Sequence, residues 1–362
     1  MNYNWEQSDW PNFNYEDVFT ENNALFIAAA NNLKNLIIEK DASLLFDLNA
    51  DFLVDEILAS SKIEGENYKK VDIMNAILNI VKKEKQHAIL FKSSEEFAKL
   101  IITQLVGFDM QLTEKLLFSI QKRFLSDRNP QLLGRWRNSG KDMQLISGMG
   151  RNEHVQFIAP PAIKMKEEME GFLAWYNITD PANAIEKAAI AHLYFESIHP
   201  FVDGNGRVGR FISLSSLYTS LGFVVPISFS EIILENVDEY YQALNLAQKS
   251  NELTKWIHYF SGVITDAQRY ASKSLQIKLQ HRLMRITYAK DLNQMQLKVL
   301  DKMFAAGHKG FLGGMSAQKY CAITKVSKAT ATRHLQQLCE LGLLEVIVAG
   351  RSTSYILNLA VV

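Results

Sequence analysis

Apolar residues recur at helical spacing along most of this 362-residue chain. Residues 22–85 read as several amphipathic helices. Leu53, Val54, Ile57 and Leu58 mark one of them as buried, and Gly65 is placed to stop it. Leu112 to Phe124 predicts another helix. Ala188, Ala191, Leu193, Tyr194 and Ile198 predict a buried one that Pro200 ends, because proline lacks the N–H needed to continue the ladder. From Arg207 to Tyr218, the residues Phe211, Leu214, Leu217 and Tyr218 form an apolar stripe. Glu252 to Ala271 predicts a further helix with Trp256, Tyr259 and Phe260 facing inward.

Short strands are expected at two places. Gly134-Arg135-Trp136-Arg137 and residues 155–161 flank a stretch, Lys141 to His154, whose glycines and polar residues suit a turn between strands. Near Ala289 the pattern changes. Asp291 with Gln294 makes a capping-box start for a helix through Phe304. Ser316 precedes a short helix and Ser327 a longer one, which runs through Glu340 to a stop at Gly342. Leu343–Val348 and Thr353–Leu359 are β-rich. Three helices and a hairpin resemble a winged helix-turn-helix, with Ala331, Leu335 and Leu338 as the core face of the third helix. Lys325, Lys328, Thr332, Arg333 and Gln336 could then face a DNA groove, with Arg351 at the wing tip. Such folds also serve as protein interfaces, and the basic bias of this face is modest.

Length predicts two or three domains. Hydrophobic residues at 48% and charged residues at 22% are ordinary for a globular protein, and a formal net charge of zero implies no global pull toward nucleic acid or membrane. Cys321 and Cys339 cannot build a disulfide scaffold or a zinc site and are expected as reduced thiols. No signal peptide and no apolar run of membrane-spanning length is visible, so a cytoplasmic address is expected.

The densest chemistry lies at residues 199–210, His-Pro-Phe-Val-Asp-Gly-Asn-Gly-Arg-Val-Gly-Arg. A glycine-rich turn feeding a helix N-terminus suits an anion, since the first N–H groups of a helix lack intrahelical partners. Arg207 and Arg210, three apart, could converge on phosphate oxygens. Asp203 is a hard oxygen donor suited to Mg²⁺ shared with substrate phosphates. His199 is the natural general base. A glycine turn with arginines is by itself only a loop; base, metal ligand and anion cradle together point to nucleotide chemistry.

This run resembles the loop of the Fic family, His-Pro-Phe-x-(Asp/Glu)-Gly-Asn-Gly-Arg-x-x-Arg, at all nine fixed positions. The resemblance implies a mainly α fold: a Fic helical core with a small β-hairpin flap, an N-terminal helical domain and the C-terminal winged helix-turn-helix. The domains would be residues 1–110, 111–275 and 285–362. It implies transfer of AMP from ATP, with Mg²⁺, to a Ser, Thr or Tyr hydroxyl of a target protein. His199 would be the base and Asp203 the metal ligand. Gly204, Asn205, Gly206, Arg207 and Arg210 would hold the phosphates, and Phe201 would anchor the loop in the core. Asn236, Tyr240 and Tyr241 would line the adenine pocket.

Residues 60–65, Ser-Ser-Lys-Ile-Glu-Gly, resemble the family's inhibitory motif (Ser/Thr)-x-x-x-Glu-(Gly/Asn), with Ser60, Glu64 and Gly65 in the matching places. Glu64 would occupy Arg210, which the γ-phosphate needs. Val155, Gln156, Phe157 and Ile158 resemble the flap that pairs with the target's backbone, a case of strand addition. Trp5, Trp10, Pro11 and Phe13 resemble the segment often found ahead of this subtype.

The expected function is a self-inhibited protein adenylyltransferase. The alternatives are a DNA-binding regulator whose core senses nucleotide, and an enzyme that removes AMP or uses another nucleotide. The expected partner is a target protein, with DNA or protein contact through the tail; no membrane is expected and a homodimer is left open.

Overall fold

A computed structural model describes residues 3–16, 19–41, 44–82, 92–107, 110–138, 142–147, 154–179, 183–307, 310–348 and 353–359. The chain divides into two compact units, Met1–Gln268 and Arg269–Val362. Both are mainly helical, with one two-stranded antiparallel sheet in each among the described residues. No helix described is long and apolar enough to cross a membrane.

The first unit begins with α1 (Thr20–Asp41), α2 (Leu44–Ile63), α3 (Lys70–Lys82), α4 (Lys92–Val106) and α5 (Glu114–Phe124). A hairpin of β1 (Gln144–Ser147) and β2 (His154–Ile158) follows, then α6 (Met165–Ile178), α7 (Ala184–Ile198), α8 (Asn205–Leu221), α9 (Phe229–Glu235) and α10 (Val237–Ala247). Helix α7 is the centre: every one of its residues is buried. Small residues let α8 approach it, and the Ser213 hydroxyl of α8 donates to the Ala188 carbonyl at 3.0 Å. Trp10, Phe13 and Phe172 close edge-on around Tyr194 of α7, so the aromatic N-terminal segment packs on the core. That segment is also tied by polar bonds: Asn4 Nδ2 donates to Ser197 Oγ at 2.8 Å, and Trp5 Nε1 to the Ile158 carbonyl at 2.7 Å.

Helix α2 is pinned from within. The buried Glu56 carboxylate accepts from the Ser228 hydroxyl and the Ser230 N–H, both at 2.9 Å, and from the Ser230 hydroxyl. It thereby satisfies donors at the start of α9, which have no intrahelical acceptor. Burial raises its pKa, which those hydrogen bonds and Arg210 oppose.

Helix α11 (Thr254–Thr287) runs well past the expected end at Ala271 and crosses the unit boundary. In the second unit α12 (Gln294–Phe304), α13 (Ala317–Thr324), α14 (Lys328–Glu340) and the antiparallel strands β3 (Leu344–Val348) and β4 (Ser354–Leu357) enclose a core that includes Val299, Leu300, Tyr320, Ala331, Leu335 and Leu338. The capping box of α12 is Asn293 with Gln296, not Asp291 with Gln294. Arg351, expected at a wing tip, lies outside the described residues.

The hairpin of the first unit also differs from expectation. Its first strand lies inside the stretch read as a turn, and Gly134–Arg137 form no strand. They instead brace the loop after α7.

Candidate active site

Helix α7 ends at His199, whose φ of 49° puts a non-glycine residue in the left-handed region. Such strain persists only where surrounding contacts enforce it. Three supports do so. The buried Arg137 guanidinium donates to the carbonyls of His199 at 2.8 Å, Ile198 at 3.2 Å and Pro160 at 2.5 Å, satisfying a helix C-terminus that Pro200 leaves without partners. Burial lowers its pKa to about 10. Phe201 is fully buried against Trp136 and Phe118, as expected. Gln121 of α5 donates to the Asp203 carbonyl at 3.2 Å. Gly204, at φ +89°, then starts α8, a conformation that a side chain would resist.

A cavity of about 550 Å³ opens beside this turn, lined by His199, Gly206 and Arg210 from the loop, Glu64, Glu196, the hairpin residues Leu145, Gln156 and Phe157, and α10 residues including Tyr240 and Tyr241. The turn places a histidine and an arginine on one concave surface.

Arg210 is buried to 1% exposure and is held by the end of α2. Its Nε donates to Ser60 Oγ at 2.8 Å, and its Nη2 donates to the Ser60 carbonyl at 2.9 Å and to Glu64 Oε1 at 2.7 Å. Burial disfavours its charge, but the Glu64 carboxylate and Tyr240 outweigh that and hold its pKa above the usual range. Its Nη1 is buried and has no acceptor among the described residues. Gly206 lets the carboxylate in: a Cβ there would stand 2.4 Å from Glu64 Oε1. Gly65 follows in the turn.

The two arginines do not converge. Arg207, 2% exposed, points away from the cavity and donates from Nη1 to Glu66 Oε2 at 2.6 Å. Glu66 also accepts from Arg128 Nη2 and from the Tyr68 hydroxyl. Glu64 thus holds Arg210, while Glu66, two residues on, holds Arg207 and Arg128.

Other expected residues are displaced in the same way. The Asn205 side chain does not face the cavity: its Oδ1 accepts from the Phe201 N–H and its Nδ2 donates to the Phe201 carbonyl, both at 2.9 Å, so it closes the loop. Asn236 is not among the cavity's lining residues, and its amide donates to Glu239. Asp203 also lies off the lining. Its carboxylate is half exposed and loosely paired, 3.7 Å from Arg207 and 3.9 Å from Arg128. No cluster of three metal-ligating side chains occurs among the described residues. On the hairpin, Val155 is exposed, Gln156 and Ile158 are half-buried, and Phe157 is buried edge-on to Tyr3.

Sequence reasoning missed Glu196 and His192. Glu196 Oε2 lies 3.6 Å from His199 Nδ1. Neither that Nδ1 nor Glu196 Oε1 has a hydrogen-bond partner among the described residues. Burial raises the Glu196 pKa, but His199, His192 and Arg210 together hold it below the ordinary range. His192 Nε2 lies 2.7 Å from the Tyr240 hydroxyl, and burial lowers the His192 pKa to about 4, so the ring is neutral and steadies Tyr240. The available signal was charge in the wrong place: His192 and Glu196 sit in a stretch otherwise read as buried helix.

The sequence model of the Fic/DOC family matches residues 111–217, and that of a domain of unknown function, DUF4172, matches residues 3–81. A Fido domain-containing protein of Dictyostelium discoideum is 31% identical over 148 residues, 39% of this chain and 99% of that one. The protein adenylyltransferase Fic of Nematostella vectensis is 30% identical over 156 residues, 42% of this chain and 33% of that one. The chain therefore spans about a third of the length of that relative. A solved Fic family protein from Desulfovibrio desulfuricans G20 superposes with a TM-score of 0.54 at 18% identity, over 94% of this chain and 96% of that one, a likeness of fold.

Proposed function

The chain belongs to the Fic family, and from that premise we propose that it is a self-inhibited protein adenylyltransferase. His199 takes the proton of a target Ser, Thr or Tyr hydroxyl. The oxygen attacks the α-phosphorus of ATP, the bond to the bridging oxygen breaks, pyrophosphate leaves, and AMP remains on the target. A positioned base typically contributes roughly 10²–10⁴-fold to such a step. Loop N–H groups at the start of α8 and the Arg210 guanidinium, once Glu64 leaves it, favour the phosphates. Tyr240 and Tyr241 offer an apolar wall for the base, and the edge of β2 a place for the target's backbone.

Asp203 suits Mg²⁺ in donor type and accessibility: a single half-exposed carboxylate without a close partner can join a cation whose other ligands are phosphates and water. The metal would supply neutralisation of phosphate charge.

The observation that carries the reading is the contact of Glu64 Oε1 with Arg210 Nη2 at 2.7 Å, inside the cavity that His199 lines. A carboxylate there competes with phosphate for one guanidinium, so the wild-type protein is held inactive. The test incubates Glu64→Gly protein with ATP labelled at either the α- or the γ-phosphate. Label retained on protein from the α position alone supports AMP transfer. Retention from the γ position, or from neither, overturns it.

A further inference from the structure

The neutral net charge of this chain conceals a partition. Of its 39 Lys/Arg and 39 Asp/Glu residues, residues 269–362 hold 14 and 4. The second unit therefore carries a formal +10 and the first −10. The basic bias that reads as modest along one helix is large once the bounds of the unit are known.

Within the second unit the charge has a defined stage. Helix α14 turns Ala331, Leu335 and Leu338 into the core and leaves Lys328, Arg333 and Gln336 exposed, with Thr332 beside them. Lys325 is exposed in the turn that leads into it. None of these three cations forms an ion pair among the described residues, and no large apolar side chain is exposed between residues 325 and 340. A second basic group lies on the preceding helices: Lys298 and Lys302 of α12, with Arg285, border an open cavity of about 770 Å³ that also touches Ala322 and Ile323 of α13. Arg285 is occupied by Asp301, so the two lysines are the open cations there.

We propose that residues 269–362 bind duplex DNA, with α14 in the major groove and Lys298 and Lys302 on the phosphate backbone. The order α12, α13, α14 and hairpin places the exposed helix where a winged helix-turn-helix carries its groove-reading helix. An α-helix matches the width of the B-form major groove, and Thr332, Arg333 and Gln336 are side chains that bond base edges. A protein partner fits less well, since the cores of protein interfaces are depleted in lysine and enriched in aromatic residues. Duplex RNA fits less well too, because its deep, narrow major groove excludes a helix. This binding is separate from nucleotide transfer and needs no ATP.

The test uses the full-length protein and a fluorescein-labelled, mixed-sequence DNA duplex of about 30 base pairs, followed by anisotropy from about 50 to 200 mM NaCl. If about four or five phosphates are neutralised, affinity should fall roughly 150- to 500-fold across that range. The variant Lys325→Ala/Lys328→Ala/Arg333→Ala should bind at least about tenfold more weakly at low salt and lose about 2–3 from the log–log salt slope. Its melting temperature should match wild type, because the replaced side chains are exposed. Four results would overturn the proposal: no retention at low salt, unchanged affinity of the triple variant, equal retention of single-stranded DNA or duplex RNA, or salt-sensitive self-association without DNA retention. The last would mean that the +10 unit meets the −10 unit of a second copy instead.

Discussion

Arg210 Nη2 lies 2.7 Å from Glu64 Oε1, although 146 residues separate them, and the Arg210 Nε is held by Ser60 in the last turn of α2, just before Glu64. Arg210 is buried while Glu64 is about a third exposed, so the carboxylate is the side of the pair that reaches solvent.

Replacing His199 by Ala should abolish nucleotide transfer while leaving the fold and ATP binding in place. The expected loss is roughly 10²–10⁴-fold, the range for a positioned base. Single-turnover transfer in the Glu64→Gly background measures it. A variant that labels at the parent rate would remove His199 from the chemistry.

Glu196 should act as a positioning residue. Its carboxylate, 3.6 Å from His199 Nδ1, favours the tautomer that leaves Nε2 free to accept a proton. Glu196→Gln should lower kcat by roughly tenfold or more, less than loss of the base itself, with little change in the KM for ATP. The ¹⁵N shifts of the His199 ring should report a changed tautomer balance. Equal loss in kcat/KM through KM alone, with an unchanged ring spectrum, would assign Glu196 to packing.

Much of this was legible from local pattern. Helices α7 and α8 follow from apolar spacing and from Pro200, whereas Glu64 was singled out by the resemblance of Ser60–Gly65 to a family motif. What was not legible depends on partners far away in sequence. Arg207 and Arg210 share a helix turn, so spacing predicts convergence, but each long side chain follows its own carboxylate. Glu66, just beyond the Ser60–Gly65 motif, gave no local hint of that. Asn205 could equally have faced a ligand or its own loop, and only the folded turn decides for Phe201. The capping box slipped by two residues because Asp291–Gln294 and Asn293–Gln296 satisfy one pattern; the buried Gln296 marks the one used. Strand β1 was hidden by glycines and polar residues that also suit a turn. Arg137 braces carbonyls some sixty residues away, beyond any periodicity.

Glu66 should matter for stability. It is the close carboxylate partner of buried Arg207 and also holds Arg128. Glu66→Ala leaves Arg207 with the Phe124 carbonyl at 3.4 Å and the distant, half-exposed Asp203, and breaking a buried pair from one side costs about 3 kcal/mol. Urea unfolding of wild type and variant measures the difference. A change well below about 1 kcal/mol would mean that water replaces Glu66.

His192 gives the protein an acid-side weakness. Its pKa is lowered from an ordinary 6.5 to about 4 by burial, so between these values the unfolded chain binds the proton that the folded one refuses. The stability that the neutral ring contributes is complete above about 6.5 and is lost as pH falls toward 4. The total is on the order of 3 kcal/mol. His192→Gln should flatten the dependence of unfolding free energy on pH across that window. An identical slope in both proteins would place the acid sensitivity elsewhere.

The central claim, that Glu64 holds a competent transferase inactive by occupying Arg210, is tested most directly by self-labelling. Wild type, Glu64→Gly and Glu64→Gly/His199→Ala are incubated with α-phosphate-labelled ATP and Mg²⁺, and protein-bound label is counted. The account predicts little label on wild type, a severalfold or greater rise on Glu64→Gly, and none on the double variant. It also predicts a lower melting temperature for Glu64→Gly without nucleotide, restored by Mg·ATP as phosphate takes the carboxylate's place. Equal incorporation by wild type and Glu64→Gly would contradict it.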